Sequence, residues 1–481
     1  MSKKTKRSIS TFAILLAVML LVSIATWLAA GKTYTGENGE IAEVVGASAS
    51  DIFMGPVNGF ADASDVITFV FCLGAFLAIV NATGALETGI HTLVRKLHGK
   101  ELVLVWILMF VFSIGGTTYG MGEETVGFYI LLAATMMAAG FDPIVGAATV
   151  LLGAGSGVLG STINPFATGA AVAAATSVGV EVNMGTTYVL GIVLWLLTYV
   201  LSALFVTAYA KKVRANKGSI LTAAQLDECQ KAYGGKDVTT AKLTGRQKAV
   251  LWLFALSFVV MILGFIPWGS LSETMYNAFS SSTTWLTGAC LGDWWFYDAA
   301  TWFLLMGIII GIVGLEDKGQ LMKLIANGFG DMVSVNLVIE MARATSVIMA
   351  ATGLGTWLVE ASVTALSQSG VSAGVFGLLD YILHVGLSFL VPSSSGLAGL
   401  SAPIVSPIVA GMGWSVETSI MINVAANGFV NLFTPTCGFI MGGLALARVP
   451  YESWLKWAWK LLVALFIVVG VVLTIAMAVL S

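Results

Sequence analysis

Residues 390–407 read LVPSSSGLAGLSAPIVSP, and they place three consecutive serines, two glycines and three prolines between long apolar segments. Such residues are unusual in apolar surroundings because an unpaired backbone group is costly to bury away from water. Irregular backbone is tolerated at membrane depth only where it is buried in protein or lines a water-filled cavity. The stretch therefore predicts a polar site inside an apolar protein.

The composition is that of an integral membrane protein. The 481 residues are 57% hydrophobic and only 10% charged, with a mean hydropathy of +0.91, whereas about a quarter of a soluble domain is charged. Apolar runs of about twenty residues recur along the chain, which is the length of a membrane-spanning helix. No segment alternates polar and apolar residues like a barrel strand. The sequence therefore predicts an all-α polytopic membrane protein.

Motifs for metal binding, redox chemistry and ATP hydrolysis are absent from the sequence. The cysteines and histidines lack metal or disulfide spacing, and there is no Walker loop or dinucleotide fingerprint. These scattered residues are Cys72, Cys229, Cys290, Cys437, His91, His98 and His384. We expect no cofactor, no resident metal and no nucleic-acid partner. Any work must then be driven by a gradient, with Na⁺ or H⁺ as coupling ion and a possible Na⁺ site near the polar tips described below.

The charged residues are sorted between the loops, and this sorting predicts the topology. The segment MSKKTKR at 1–7 and the polar segment at 211–248, with nine lysines and arginines, are basic. The connection at 31–65 carries six acidic residues and one lysine, and the loop at 267–298 has no basic residue. By the positive-inside rule the N-terminus is cytoplasmic and the C-terminus lies outside. We expect a bacterial inner-membrane protein whose first apolar run is a retained span rather than a signal peptide.

One order of elements occurs twice, in opposite orientation. The first repeat, residues 1–210, contains scaffold spans within 11–86, a hairpin at 101–140, a broken helix at 143–175 and a span at 187–209. A linker at 211–298 adds a span at 249–266 and an outer loop. The second repeat, residues 299–480, contains spans at 301–315 and 332–354, a hairpin at 375–412, a broken helix at 418–447 and a span at 454–480. We expect the hairpin arms to be too short to cross the bilayer, so the pattern predicts an inverted-repeat transporter, of elevator type, with two re-entrant hairpins.

Polar residues concentrate at the two hairpin tips and the two helix breaks, where such a protein binds its ligand. In the first repeat the predicted binding residues are Thr117, Thr118, Glu123, Glu124, Ser156, Ser161, Thr162 and Asn164. In the second repeat they are Ser393, Ser394, Ser395, Asn427, Asn431, Thr434 and Thr436. The serines and glycines of the second repeat alternatively allow close helix packing, although that leaves the matching prolines at the two breaks unexplained.

The carboxylates of Glu123 and Glu124 are costly near the bilayer centre unless they pair, titrate or bind a cation. We favour a site for an ammonium, a guanidinium, a proton or Na⁺. The alternative is that one or both carboxylates cap the adjacent helix N-terminus.

Three further residues are possible site residues. Arg343 lies one turn after Glu340 and either meets a substrate carboxylate or forms an internal ion pair, which we favour. Asp380 and His384, at i and i+4, either relay a proton or form a simple hydrogen bond, which we again favour.

Five segments together resemble one family: GFADASDVITFVFCLGAFLAIVNATGALETGI, GMGEETVGFY, GSTINPFATG, LVPSSSGLAGLSAPIVSPIVAGMGWS and NGFVNLFTPTCG. They are similar to the anaerobic C4-dicarboxylate carriers and their YfcC-like, basic amino-acid antiporter-like relatives within the ion transporter superfamily. The resemblance covers nearly the whole chain and implies a homodimer whose transport domain moves against a scaffold like an elevator. Where the family pattern GDGFTN has an acidic residue, this chain has Asn427, which argues against cation coupling at the second site.

These observations favour a secondary active transporter, an antiporter or a cation-coupled symporter, of a small carboxylate-bearing solute. Glu123 and Glu124 would repel a dianion, so a basic amino acid such as arginine or ornithine is preferred to a C4-dicarboxylate. A membrane-embedded hydrolase is the alternative of another class, but no serine adjoins His384 in the sequence to form a nucleophile–base pair. A channel is disfavoured because the two tips are not identical copies.

Overall fold

A computed structural model describes residues 11–36, 40–89, 92, 100–215, 218–233 and 242–481. Three features used in the sequence analysis fall wholly or partly outside these residues. They are the basic segment 1–7, the histidines His91 and His98, and parts of the linker at 216–217 and 234–241.

The first half of the chain is helical apart from one short β-hairpin. Its elements are α1 Thr11–Ala29, β1 Thr33–Thr35, β2 Ile41–Glu43, α2 Ala49–Asp62, α3 Ser64–Ala82, α4 Glu101–Tyr119, α5 Val126–Ala138, α6 Pro143–Leu159, α7 Ala170–Ser177 and α8 Met184–Arg214. The strands pair antiparallel, with Thr33 opposite Glu43. We call α4 and α5 the first hairpin, and residues 160–164 between α6 and α7 the first break.

The linker and the second half continue the same architecture. Their helices are α9 Ala223–Tyr233, α10 Gly245–Phe265, α11 Trp268–Leu271, α12 Glu273–Ser282, α13 Phe296–Gly314, α14 Leu321–Thr352, α15 Leu354–Gln368, α16 Ala373–Leu390, α17 Ser394–Gly411, α18 Val416–Val430, α19 Gly438–Leu446 and α20 Tyr451–Leu480. We call α16 and α17 the second hairpin, and residues 431–437 between α18 and α19 the second break.

Ten of the described helices are long and apolar enough to cross a membrane. The prediction of an all-α, multi-pass membrane protein is confirmed. The chain also contains elements that the sequence analysis treated as loops, namely the β-hairpin and α2 in the outer connection, α9 in the linker, and α15 after α14.

The prediction that the hairpin arms are too short to cross the bilayer is wrong for three of the four arms. Helix α4 has 19 residues, and α16 and α17 have 18 each. The serine-rich stretch is mostly helix α17, with Pro403 and Pro407 inside it, although each internal proline removes a backbone hydrogen bond and disfavours a helix. The second tip is therefore only the short turn before Ser394. Re-entrance itself stays a prediction, since length no longer requires it.

Several helix contacts of the first half have counterparts in the second half. Helix α6 packs against both arms of the first hairpin and against α8, and α18 packs in the same way against the second hairpin and α20. The two sets meet where α6 contacts α18. Likewise α3 packs on α13 and α14, while α14 packs on α1 and α3. These contacts correspond between the halves, while α14 has a further extensive contact, with α2.

A short sequence repeat marks the crossing of α2 and α3 with α14. Residues 58–62 read NGFAD and residues 327–331 read NGFGD. A side-chain carbon added at Gly59 would lie 2.5 Å from the Glu340 carbonyl oxygen, and one added at Gly328 would overlap the Gly74 carbonyl. Each copy of the motif therefore supplies a glycine where two helix backbones approach closely.

Helices α4 and α6 approach at Gly116 and Gly157. A side-chain carbon at Gly157 would overlap the backbone carbonyl oxygen of Ser113, and one at Gly116 would overlap that of Ala154. Backbone cannot move aside as a flexible side chain can, so this contact requires glycine on both helices.

We expect Gly157→Ala to destabilise the protein by about 1–3 kcal/mol, the usual cost of overpacking. The midpoint of thermal unfolding of the purified protein in detergent should fall. Gly386→Ala is the matched control, because Gly386 is also helical and has no neighbouring atom within 4 Å of the added carbon. Equal unfolding midpoints for the two variants would contradict the close approach of α4 and α6.

Candidate binding site

Both hairpin tips open onto one cavity of about 120 Å³. Residues of both repeats line it, including the second break and the helices α3 and α14. The charged and polar lining residues are Glu123, Glu124, Arg343, Ser393, Ser394, Ser395, Asn431 and Thr436. The structure thus brings together eight of the residues selected from the sequence.

The first tip is a tight turn that presents Glu123 to the cavity. Helix α4 ends at Gly120, whose φ of +78° favours glycine. A side-chain carbon there would lie 2.8 Å from the amide atoms of Asn164 in the first break. Glu124 is only 2% exposed, and its Oε2 accepts a hydrogen bond of 3.0 Å from the backbone N–H of Gly122. The capping alternative therefore suits Glu124, while the more exposed Glu123 faces the cavity.

A reciprocal pair of threonines joins the first tip to the first break. The hydroxyl of Thr117 donates to the Gly160 carbonyl at 2.8 Å. The backbone N–H and the hydroxyl of Thr162 both donate to the Thr117 carbonyl, at 2.9 and 3.0 Å. These bonds satisfy backbone groups that the interrupted helix leaves without partners. Thr117 and Thr162 thus hold the tip against the break behind the cavity wall.

Other predicted residues of the first repeat serve the break or lie away from the cavity. Asn164 donates to the Ser161 hydroxyl at 2.9 Å and accepts from the N–H of Phe166 at 2.9 Å. The Thr118 hydroxyl donates to a carbonyl of its own helix. The Ser156 hydroxyl does the same and lies 3.3 Å from the hydroxyl of Ser202 in α8. None of these four predicted residues lines the cavity.

Two asparagines of α18 and the second break clamp the second tip. The amide nitrogens of Asn431 and Asn427 donate to the Pro392 carbonyl at 2.9 and 3.2 Å. The hydroxyl of Ser394 in turn donates to Asn427 Oδ1 at 2.8 Å. Asn431 Oδ1 is buried without a hydrogen-bond partner. The tip is therefore held at its turn, and one acceptor beside the cavity is left open.

The second break also ties itself to the second hairpin and directs two helix N-termini at the cavity. The hydroxyls of Thr434 and Thr436 lie 2.7 Å apart, and that of Thr436 donates to the Phe389 carbonyl at 3.3 Å. Ser393 caps α17 by accepting from the N–H of Gly396 at 3.2 Å. Helices α17 and α19 both begin at the cavity wall. Their N-termini contribute partial positive charge there.

Arg343 faces the cavity from α14, but its partner differs from the expected one. Nη1 of Arg343 lies 3.5 Å from Oδ2 of Asp62, at the end of α2. The predicted ion pair of Arg343 with Glu340 is therefore wrong. Asp62 is distant in sequence, and spacing along one helix could not reveal it. At 3.5 Å, and with side chains 25% and 47% exposed, this pair leaves Arg343 able to meet a second anion.

Asp380 and His384 form a buried pair on α16, away from the cavity. His384 Nδ1 lies 2.9 Å from Asp380 Oδ1, and the two side chains are 1% and 0% exposed. The Ser419 hydroxyl of α18 approaches Asp380 Oδ2 at 3.5 Å. The hydrogen-bond partner of His384 Nδ1 is the Asp380 backbone carbonyl, at 3.0 Å, while Asp380 Oδ1 and His384 Nε2 are both buried without a hydrogen-bond partner. The two side chains are thus in ion-pair contact, and one oxygen and one ring nitrogen are left without hydrogen bonds.

The sequence analysis missed the apolar part of the cavity wall. Val66, Phe166, Phe296, Ile339 and Phe439 line it, and nothing in their local sequence distinguishes them from core residues. Among the described residues, no group of three His, Cys, Asp or Glu side chains could hold a metal ion.

The chain was compared with known families, sequences and structures. It matches the family described as C4-dicarboxylate anaerobic carrier (DcuC) over residues 9–478. An uncharacterised protein of Haemophilus influenzae is 30% identical, covering 90% of this chain and 79% of the relative. A protein of Escherichia coli K12 named "Putative basic amino acid antiporter YfcC" is 27% identical, covering 86% and 77%.

Two solved structures show the fold. The Alcanivorax borkumensis YdaH transporter has a TM-score of 0.50 at 17% identity, covering 97% of this chain and 98% of that one. Neisseria gonorrhoeae MtrF, reported with a class of antimetabolite efflux pumps, has a TM-score of 0.50 at 16% identity, covering 99% and 96%.

We expect Asn431→Ala to release the second tip, because it removes the shorter of the two amide bonds to the Pro392 carbonyl. A cysteine at Ser395, in a background carrying Cys437→Ser, should then react several-fold faster with a membrane-impermeant maleimide. Asn423→Ala is the matched control, since Asn423 donates to Ser401 farther along α17. If the Ser395→Cys thiol reacts at the same rate in both variants, Asn431 does not clamp the second tip.

Proposed function

The chain belongs to the C4-dicarboxylate anaerobic carrier family, and from this premise we propose that it is a secondary active transporter of a small zwitterionic solute, with arginine and ornithine as the favoured candidates. The family and the solved neighbours are transporters rather than enzymes. The hydrolase hypothesis is therefore wrong. The solute and the mechanism are our proposal.

The observation that carries the proposal is the separation of charge across the cavity. Glu123 lies on the first tip, while Arg343 and the N-termini of α17 and α19 lie on other walls. A carboxylate suits an arginine side chain and helix N-termini. An ammonium or guanidinium suits the carboxylate of Glu123. One solute carrying both groups would neutralise the whole cavity.

A C4-dicarboxylate is the second candidate, because the family is described by that substrate class. One of its carboxylates could meet Arg343 and the helix N-termini. The other would meet the carboxylates of Glu123 and Glu124, and like charges in a poorly solvated cavity repel strongly. The cavity as built therefore favours a basic amino acid.

The size of the cavity supports a gating movement. At about 120 Å³ it is smaller than the roughly 300 Å³ at which small-molecule sites usually begin. A solute as large as arginine therefore requires a tip to open. The second tip is the better candidate because the side-chain amides of Asn427 and Asn431 hold it at the carbonyls of Val391 and Pro392, whereas a backbone hydrogen bond also ties the first tip to the first break.

We retain the elevator movement and the homodimer as proposals. Gly438 and Gly442 of α19 pack closely against the side chains of Ile339 and Val335 of α14, so an elevator movement at this contact would have to lift these side chains out of the glycine positions.

Uptake into proteoliposomes tests the proposed function. Labelled arginine and labelled succinate should be offered separately, with and without internal ornithine and with and without a Na⁺ or H⁺ gradient. We expect saturable arginine uptake that internal ornithine stimulates. Uptake of succinate alone would favour the dicarboxylate, and uptake of neither would reject both substrate assignments.

We expect Glu123→Gln to raise the KM for arginine about tenfold, the effect of losing one charge-assisted hydrogen bond. The neutral analogue citrulline should be affected much less. Glu340→Gln is the matched control, because Glu340 is a carboxylate of α14 that does not line the cavity. Equal losses for arginine and citrulline, which share the α-ammonium, would contradict the assignment of Glu123 to the guanidinium.

For the coupling ion we propose a proton at the Asp380–His384 pair. Ionisable residues buried in a membrane are functional by default, and histidine titrates near physiological pH. Asp380→Asn and His384→Gln should make arginine uptake less dependent on a pH gradient. The exchange of arginine against internal ornithine should be retained. Tyr381→Phe is the control, since it removes only an unpartnered hydroxyl next to the pair. A retained pH dependence in both pair variants would exclude this site.

A further inference from the structure

A second polar cavity lies along the same helices as the first. It has a volume of about 490 Å³ and is bounded by α3, α14, the arm α5, helix α9 and the segment that follows α19. Asn81, Asp331 and Arg448 are its principal polar side chains. Its volume falls within the roughly 300–1,000 Å³ of small-molecule sites, so it can hold a solute that the first cavity holds only after opening.

The two cavities lie at opposite ends of the contact between α3 and α14. Along α3, Asn81 is 15 residues from Val66 of the first cavity, and along α14, Asp331 is 12 residues from Arg343. At about 1.5 Å per residue the cavities are separated by roughly 20 Å. Lys318 and Lys323 flank the start of α14, so on the predicted topology the second cavity faces the cytoplasm. We call it the inner cavity.

The repeated motif relates the charges of the two cavities. Asp62 ends NGFAD and Asp331 ends NGFGD, so they are equivalent positions of the two repeats. Asp62 lies 3.5 Å from Arg343 at the first cavity, and Asp331 shares the inner cavity with Arg448. Each end of the contact therefore has one aspartate of the motif and one arginine from another segment.

The two ends differ in whether the charges are paired. Within the part of the chain that the structure describes, neither Asp331 nor Arg448 has an ion-pair partner within 4 Å, and both are exposed to the cavity. Arg448 has a φ of +55° because it follows the end of α19 in a Schellman cap, in which the N–H groups of Arg448 and Val449 donate to the carbonyls of Ala445 and Leu444. The backbone at Arg448 is held by a hydrogen bond from Cys229 of α9 to its carbonyl.

We propose that the inner cavity is a second binding site for the transported solute, in which Arg448 binds the carboxylate of an amino acid and Asp331 binds its cationic group. Asn81 supplies a neutral hydrogen-bonding group in the same cavity. The inference rests on the proposed function, because it takes its solute from the first site. It predicts that the affinity at the cytoplasmic face is set by residues that never touch the first cavity.

Transport measured from each face separately tests this inference. In everted vesicles, which expose the cytoplasmic face, Arg448→Gln should raise the KM for labelled arginine about tenfold. In right-side-out vesicles the KM of the same variant should stay within about twofold of wild type. Asp331→Asn should raise the cytoplasmic KM for arginine more than that for citrulline. Arg448→Lys keeps the charge and should keep most of the cytoplasmic affinity.

Lys318→Gln is the matched control for surface charge. It removes one positive charge near the same face without altering the inner cavity, and it should leave the cytoplasmic KM unchanged. If the cytoplasmic KM increases equally in Lys318→Gln and Arg448→Gln, the effect is general electrostatic attraction. The proposed binding site is then wrong.

The outcomes separate this inference from the proposed function. If the wild-type protein transports arginine and Arg448→Gln changes neither KM, or changes both alike, the inner site is wrong while the transporter stands. If the wild-type protein transports succinate instead, the role of Asp331 is wrong. If it transports neither solute, the proposed function fails and the inner site fails with it.

Discussion

Every interruption of a helix in this protein has to satisfy its backbone groups without water, and this constraint determines the site. The first break achieves this through the Thr117–Thr162 exchange, in which a hairpin tip accepts two hydrogen bonds from the interrupted segment. The second break achieves it through asparagine amides that bind the Pro392 carbonyl. A polar cavity can exist between the tips because the exposed backbone around it has partners on the opposite side.

The duplicated architecture also explains why the two halves can carry different chemistry. The neighbours of α6 and α18 correspond, and both helices end at a break beside a hairpin tip. The side chains at the tips do not correspond, since the first offers carboxylates and the second offers hydroxyls and amides. Symmetry of the backbone thus sets where a ligand can lie, and the departure from symmetry in side chains gives the cavity a negative wall and a positive wall.

The sequence predicted what depends on local residues, and it failed where distant contacts decide. Asparagine, proline and glycine in GSTINPFATG and NGFVNLFTPTCG located both breaks, because these residues disfavour a continuous helix. The arms were misjudged because Gly115 to Tyr119 and Ser394 to Pro407 continue helices that the surrounding protein stabilises. Asp62 was not recognised as the partner of Arg343, since the contact joins two repeats. The apolar wall had no signal, because a phenylalanine beside a cavity looks like a phenylalanine in a core.

Asn427 shows how one side chain changes what closure of the second tip requires. Its amide nitrogen donates to the carbonyls of Pro392 and Val391, at 3.2 and 3.4 Å. An ionised aspartate at this position would have no hydrogen to donate, and its charge would face two carbonyl oxygens. Such a tip would close only with a proton or a cation between the oxygens. With asparagine the tip closes on neutral hydrogen bonds alone, so in this chain closure does not depend on an ion at that position. The coupling proton that we propose would therefore act elsewhere in the molecule, at the Asp380–His384 pair.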